Sequence, residues 1–145
     1  MALLKRILAA LSLVAVLHAE APDDADVRIW SRIIHDLSLK EYRLFTEDPK
    51  LRAILCKIPG VKLTDDCRNA TLIVDTRNHV VKDPSCQAIP HLTNDYRILL
   101  KNPNEIGAFF WLKGRPTIIF SKERLQKFGL ELAPELRDYV EELGG

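Results

Sequence analysis

Near its C-terminus the chain carries two apolar stretches that are separated by residues typical of a tight turn. The stretches are residues 106–112 and 117–120, and Lys-Gly-Arg-Pro joins them at positions 113–116. Two short apolar runs on either side of a glycine-containing turn predict an antiparallel β-hairpin. Ser121 is a suitable N-cap for a short helix, which Gly129 would end. The sequence therefore predicts a sheet that finishes in a hairpin and is followed by helices.

Upstream of this hairpin, helical and strand patterns alternate. Residues 26–39 carry their apolar side chains at helical spacing, and residues 42–46 follow as a strand. Asp48 followed by Pro49 is typical of the first turn of a helix, with the aspartate as N-cap. A further strand is predicted at residues 61–64. This alternation favours strands that lie parallel in one sheet.

The middle of the chain supplies the predicted centre of the sheet. Residues 70–75 are the most continuously apolar, β-branched run after the predicted signal peptide, which predicts a central parallel strand buried on both faces. Asp75 ends it, at the sheet edge where open α/β sheets bind ligands. Residues 96–101 are predicted as another strand, residues 85–92 as one helical turn, and Pro134 as the start of a last helix. The expected fold is α/β: a three-layer domain with a mixed, mostly parallel sheet, a C-terminal β-hairpin and C-terminal helices.

The N-terminus is typical of a secretory signal peptide. Two basic residues precede an apolar stretch at residues 7–17, and acidic residues follow soon after. This pattern predicts cleavage after Ala19, so that residues 1–19 are the signal peptide and residues 20–145 form a single periplasmic domain. Cleavage after Ala21 and an uncleaved membrane anchor are the alternatives. The apolar stretch is shorter than the roughly 20 residues that a spanning helix needs, which favours cleavage.

The charge balance argues against nucleic acid or anionic lipid as a partner. The chain has 21 basic and 20 acidic residues, for a formal net charge of +1 at pH 7. Such a balance lacks the basic excess that nucleic-acid binding requires, so no nucleic-acid partner is predicted. Charged residues after Ser121 are interpreted as the exposed face of a helix: Lys122, Glu123, Arg124 and Lys127.

Three cysteines, Cys56, Cys67 and Cys86, follow the predicted signal peptide. In an oxidising compartment they allow one disulfide and one free thiol. The favoured bridge is Cys56–Cys67, which closes a short loop, and Cys67–Cys86 is the alternative. The sequence has no CxxC motif and its histidines are scattered singly, so neither a metal site nor a cofactor is predicted.

Several segments of the chain resemble one family. The glycine-led strand at residues 106–109, the turn at 114–115 and the Phe-Gly-Leu-Glu-Leu segment at 128–132 are similar to the C-terminal part of the YfiR-type small periplasmic proteins. The cysteine-preceded strand at residues 66–74 is similar to the central strand of that family, and residues 27–46 fit its opening helix and strand. The resemblance implies a YfiR-like α/β domain.

The resemblance also implies a function. Characterised YfiR-type proteins bind the periplasmic domain of an inner-membrane diguanylate cyclase and repress it, with release linked to redox state or envelope signals. A redox-responsive repressor of an inner-membrane signalling protein is therefore expected. In that case Cys56, Cys67 and Cys86 would be the redox-sensitive residues.

The hairpin tip supplies the predicted partner-binding residues, Trp111, Lys113 and Arg115. An aromatic side chain beside two cations suits an acidic protein surface. The alternative is that Trp111 belongs to the core and the two cations are merely solvated. The expected partner is an inner-membrane protein with a periplasmic domain, and a homodimer is left open.

Two other function classes are weaker. The layout is also similar to one lobe of a periplasmic solute-binding protein. Ligands of such proteins bind between two lobes, however, and this chain is long enough for only one. Ser85 and Cys86 have no histidine–acid pair nearby that would activate a nucleophile. The sequence also carries no phosphate-binding loop or dinucleotide fingerprint. No catalytic residue and no enzymatic activity are predicted.

Overall fold

The computed structural model describes residues 22–144, which form an α/β domain built on one sheet. The strands are β1 Arg43–Phe45, β2 Lys62–Leu63, β3 Leu72–Asp75, β4 His91–Thr93, β5 Glu105–Leu112, β6 Arg115–Ser121 and β7 Val140–Glu141. The helices are α1 Pro22–His35, α2 Pro49–Leu55, α3 Tyr96–Lys101 and α4 Lys122–Lys127. Short 3₁₀ helices lie at Cys67–Asn69, Pro84–Cys86 and Pro134–Tyr139.

The strand order is β2-β1-β3-β4-β5-β6-β7. Neighbouring strands from β2 across to β5 are parallel, β5 and β6 are antiparallel, and β6 and β7 are parallel. The predicted α/β class is confirmed, as are the mixed, mostly parallel sheet and the C-terminal hairpin.

The hairpin turn explains why its sequence contains a glycine. The two central turn residues both have positive φ, 51° at Lys113 and 77° at Gly114. That geometry is typical of a type I′ turn, which matches the twist of the strands that it joins. Further down the hairpin, a Cβ on Gly107 would lie 2.5 Å from a ring carbon of Phe120. Glycine at that position therefore lets the aromatic ring of β6 lie directly against β5.

The central part of the sheet is covered on both faces. In β3 the buried side chains of Leu72 and Val74 join a large apolar cluster that includes residues of α1 and α2. Ile73, which points to the opposite face, joins a smaller cluster with Cys67 and Cys86. The central strand is thus buried on both faces, as predicted.

The signal peptide predicted at residues 1–19 lies outside the described residues. Within residues 22–144, no helix combines the length and the apolar character needed to cross a membrane.

The prediction of a strand at residues 96–101 is wrong, because this segment forms helix α3. The Asp95 carboxylate accepts a hydrogen bond from the backbone N–H of Arg97 and caps the helix, and Leu99 is fully buried. The strand β4 was not predicted, since it is only three residues long and begins with His91. The last predicted helix is a 3₁₀ helix that leads into β7.

The favoured disulfide is also wrong. The structure joins Cys67 to Cys86, with a Cα–Cα distance of 6.0 Å, and leaves Cys56 free and exposed. Helix α2, which Cys56 follows, packs in the large apolar cluster, whereas Cys67 and Cys86 lie in the smaller cluster on the opposite face. The sheet therefore separates Cys56 from both partners, and the alternative pairing is the one observed.

The interpretation of Arg124 as an exposed helix residue is wrong as well. Its side chain is buried, with 4% of its surface exposed. The guanidinium donates hydrogen bonds to the backbone carbonyls of Leu99, Asn102 and Glu105. Arg124 thus joins α4 to the end of α3 and the start of β5.

Candidate functional site

The three predicted partner-binding residues lie together at the end of the hairpin. Lys113 and Arg115 are exposed, and 45% of the Trp111 surface is exposed. The Trp111 indole is nevertheless held in place, because its Nε1 donates a 2.7 Å hydrogen bond to the Asp26 carboxylate on α1. Its ring centroid is also 5.9 Å from that of Phe109. Trp111 therefore makes structural contacts, whereas the side chains of Lys113 and Arg115 form no hydrogen bond or ion pair with other described residues.

The opposite side of the hairpin carries an apolar surface that the sequence did not reveal. We call it the hairpin face and define it as Tyr96, Phe110, Leu112, Thr117 and Ile119. These residues line a groove of about 510 Å³, and Leu112 and Tyr96 have exposed fractions of 56% and 39%. The rings of Tyr96 and Phe110 pack with centroids 5.7 Å apart. The sequence shows apolar side chains on both faces of β5, but not that the face with Phe110 and Leu112 is left uncovered.

Cations border the hairpin face. Arg97 lines the groove, and Arg115 is the cross-strand partner of Leu112, so its side chain leaves the sheet on the same side. Lys113 follows in the turn. Among the described residues, none of these three side chains takes part in an ion pair. Asp95 also lines the groove, so the surface combines exposed apolar side chains with three cations and one carboxylate.

A second concave site lies at the carboxyl ends of the parallel strands. It is a cavity of about 180 Å³. Its lining includes Asp26, Trp30, Asp48, Asn94, Phe109 and Trp111. Open α/β sheets bind small ligands at this edge. The sequence placed Asp75 at this edge, but the fold turns that side chain into the interior, where it is fully buried.

Asp48 shapes this cavity by capping α2. Its Oδ1 accepts hydrogen bonds from the backbone N–H groups of Lys50 and Leu51, and its Oδ2 accepts one from the Thr76 hydroxyl at 2.8 Å. Burial alone would raise the pKa of Asp48, but the hydrogen bonds from Thr76, Leu51 and Lys50 outweigh it and lower the pKa. The carboxylate is therefore ionised at neutral pH.

Replacing Asp48 with Asn is expected to lower the free energy of unfolding by about 1 kcal/mol at neutral pH, because charge-assisted hydrogen bonds become neutral ones. Since the pKa in the folded protein lies below its usual value of 3.8, this stabilisation exists above that value and is lost as the pH falls through the folded pKa. Urea unfolding at about pH 7 and about pH 3 measures the difference. Asp138→Asn, at an exposed position, is the control. An equal difference at both pH values would contradict the expectation.

The most unusual polar feature of the described residues is a buried cluster of three titratable side chains. Asp75 ends β3, His91 begins β4 and Glu105 begins β5, and all three are fully buried. Nδ1 of His91 lies 2.7 Å from Oδ2 of Asp75 and 3.8 Å from Oε2 of Glu105. We call these three residues the buried cluster. Ionisable side chains are seldom buried completely unless they are paired or bind a metal ion.

Neighbouring groups fix the orientation of each member of the buried cluster. The backbone N–H of Val81 donates to Oδ1 of Asp75 at 2.9 Å. Nε2 of His91 lies 3.1 Å from the carbonyl oxygen of Cys86, and since a carbonyl only accepts, this nitrogen donates a proton to the bond. The Asn102 amide donates to Oε2 of Glu105 at 3.1 Å.

The electrostatics of the two carboxyl groups differ. Burial, together with the hydrogen bond and the charge of Asp75, raises the pKa of Glu105 to about 12. Burial also acts to raise the pKa of Asp75, but its hydrogen bonds with His91 and Glu105 outweigh this effect and lower it. Oε1 of Glu105 is buried and has no hydrogen-bond partner among the described residues. Such an orphaned buried oxygen requires an explanation.

The sequence predicted no histidine–acid pair near Ser85 and Cys86, and so the buried cluster was missed. Strand register creates it: His91 pairs with Ile73 of β3 and with Glu105 of β5. Asp75 lies two residues beyond Ile73 and therefore projects from the same face. No sequence motif carries this information, since the three residues belong to three separate strands.

Comparisons with known proteins add no relative. No family model, no curated protein and no solved structure matches this chain. The resemblance to the YfiR-type family thus rests on the sequence segments given above.

Proposed function

We propose that this protein is a secreted periplasmic binding and regulatory protein that docks a partner protein on its hairpin face. The observation that carries the proposal is the combination, on one surface, of exposed apolar side chains and three cations that form no ion pair with another residue of the described part of the chain. Exposed apolar patches of this kind on soluble proteins mark interaction sites. The partner is an inner-membrane protein whose periplasmic domain presents an acidic segment with apolar side chains.

The shape of the site supports side-chain docking rather than addition of a strand. Strand β7 pairs only with Phe120 and Ser121 of β6, which leaves residues 115–119 along an edge. Pro116 within that edge has no N–H to donate, so it weakens pairing with an added strand. The groove beside Leu112 offers the apolar contact instead.

Charge complementarity supports an acidic partner. Arg97, Lys113 and Arg115 border the groove from α3 and from the hairpin turn. Complementary charge at the rim of an interface raises the association rate and suppresses wrong partners. The regulatory part of the proposal follows the YfiR-type resemblance, with the Cys67–Cys86 bridge as its redox-sensitive element.

Replacing Leu112 with Glu, or Arg115 with Glu, is expected to weaken partner binding by about tenfold or more, since each change removes a contact of the interface. A photoreactive amino acid at position 119 is first used in intact cells to crosslink the inner-membrane partner and so identify it. The affinity of its purified periplasmic domain for each variant is then measured by calorimetry. Lys62→Glu, on the far edge strand β2, is the matched charge control and should leave affinity unchanged.

Two results would contradict this proposal. Binding that survives both hairpin substitutions would show that the partner docks elsewhere. A homodimer that Leu112→Glu dissociates, with no other partner captured, would show that the hairpin face binds a second copy of the chain.

A second candidate function, small-molecule binding, is favoured by the cavity at the carboxyl edge of the sheet. Its volume of about 180 Å³ lies below the roughly 300–1,000 Å³ that is usual for ligand pockets. This difference is why protein binding is the primary proposal. A ligand that copurifies with the protein, and whose effect on the melting temperature disappears in Asp26→Asn, would favour the second candidate.

A further inference from the structure

We propose that Asp75, His91 and Glu105 form a binding site for one divalent transition-metal ion of the Zn²⁺ class. This inference is independent of the partner on the hairpin face and departs from the sequence, which predicted no metal site. The ligand atoms of the three side chains lie within 4.8 Å of one another. One imidazole nitrogen and two carboxylates are ligands that Zn²⁺ and its neighbours in the first transition row accept.

The distances fit an ion at the centre of the buried cluster. Zinc lies about 2.0–2.2 Å from nitrogen and carboxylate ligands, so neighbouring ligands of a tetrahedral ion are roughly 3.4 Å apart. The observed separations from Nδ1 of His91 are 2.7 Å to Asp75 and 3.8 Å to Glu105. The distance to Glu105 is to Oε2, and its other oxygen belongs to the same carboxylate. The pair of Nδ1 and Oδ2 must separate by about 0.7 Å for an ion to enter, which rotations of the His91 and Asp75 side chains would allow.

The surrounding hydrogen bonds are those of a metal site. A histidine that binds a metal donates its other ring N–H to a carbonyl or carboxylate, which turns the free lone pair toward the ion. His91 does this through Nε2 and the Cys86 carbonyl, while its Nδ1 shares a 2.7 Å hydrogen bond with Oδ2 of Asp75. Val81 holds Oδ1 of Asp75, and the bond between Nδ1 and Oδ2 would give up its proton when both atoms coordinate the ion.

The orphaned Oε1 of Glu105 is the second, independent observation. The other oxygen of this carboxylate already accepts a hydrogen bond from Asn102, whereas Oε1 is buried without any donor among the described residues. A bound cation would satisfy this oxygen. Without an ion, burial keeps a proton on Glu105, and a divalent ion would take the place of that proton when it binds.

The ion would be captured as the chain folds. The segment that follows β3 covers the buried cluster, since Val81 and Cys86 both contact it and the disulfide fixes Cys86 to Cys67. Metal sites that are assembled by folding stabilise the folded state and hold their ion through dialysis. Metal loading should therefore be tested on protein that is refolded with the ion present.

The test uses the whole purified chain, unfolded and then refolded oxidatively with an equimolar amount of Zn²⁺. After dialysis against a weak chelator, elemental analysis is expected to find about one zinc per chain, and the melting temperature is expected to exceed that of protein refolded without metal. His91→Gln, which keeps the size of the side chain, should retain less than about a tenth of the zinc. Cys56→Ser should retain all of it, which excludes the exposed thiol as the ligand.

A second measurement does not depend on the stability of any variant. Wild-type protein refolded with Co²⁺ should show the d–d absorption of a bound, low-symmetry ion, and Zn²⁺ added before refolding should prevent it. Refolded wild-type protein that holds less than about a tenth of a zinc per chain would overturn the proposal. Zinc that is lost in Cys56→Ser but kept in a folded His91→Gln would overturn it too.

Discussion

Replacing Arg124 with Met is expected to lower the free energy of unfolding by about 3 kcal/mol. The guanidinium is buried and donates to the backbone carbonyls of Leu99, Asn102 and Glu105. Its Nε donates to the carbonyl of Gly144 as well. Methionine fills a similar volume but removes the charged donor from these carbonyls. The carbonyl of Asn102 still accepts from the N–H of Glu105, whereas a buried carbonyl that is left without a donor costs roughly 1–3 kcal/mol.

Urea unfolding, followed by circular dichroism, measures the effect as a shift of the midpoint. Lys122→Met is the matched control, because it changes an exposed cation at the start of the same helix. The control should change the free energy of unfolding by less than about 0.5 kcal/mol. If both variants unfold at the same urea concentration, the carbonyl contacts of Arg124 contribute nothing to stability.

The burial of Arg124 could not be predicted from the local sequence. Its neighbours Lys122 and Lys127 are exposed, so a local pattern places all of these charges on one solvated helix face. Only the packing of α4 against the end of α3 and the start of β5 brings the guanidinium over three carbonyls. These are tertiary contacts, and the spacing of residues along the helix does not predict them.

Features that depend on a few consecutive residues were predictable. The continuous apolar run that ends in Asp75 formed the buried strand β3, and Asp48 with Pro49 began a helix as their sequence indicates. The hairpin followed from its apolar runs and from a glycine that adopts positive φ. In each case the chemistry of neighbouring residues favours one backbone conformation.

Features that depend on competition between conformations were not predictable. Residues 96–101 contain apolar side chains that suit a strand, but the Asp95 cap and the turn into β5 favour a helix. The hairpin face was missed for a related reason, since Phe110 and Leu112 could have packed under another element. The buried cluster required the register of three strands, which depends on the packing of the whole sheet.

The pairing of the cysteines was the largest error and leads to the second major prediction. Sequence distance favoured Cys56–Cys67, because short loops close readily. The fold prevents this pairing, because the sheet lies between Cys56 and the other two cysteines. Cys67 and Cys86 instead join the 3₁₀ helices on either side of β3, so the bridge fixes the segment that covers the buried cluster.

Replacing both Cys67 and Cys86 with Ser is expected to lower the free energy of unfolding by about 3 kcal/mol. The bridge closes a loop with a sequence separation of 19 residues, and a loop of that size restricts the unfolded chain by about this free energy. Denaturant unfolding of the oxidised protein measures the change. Cys56→Ser is the matched control and should leave stability nearly unchanged, since that thiol is exposed and free.

Thiol counting makes this prediction specific to the observed pairing. Denatured but unreduced wild-type protein should react with one equivalent of a thiol reagent, and Cys56→Ser with none. A reactive equivalent in Cys56→Ser, or equal stability of Cys56→Ser and the double variant, would contradict the Cys67–Cys86 bridge. Because the Cys86 carbonyl accepts the hydrogen bond of His91, loss of the bridge should also loosen the buried cluster. The double variant should therefore hold zinc less tightly than Cys56→Ser, which joins the redox state of the protein to its capacity for metal.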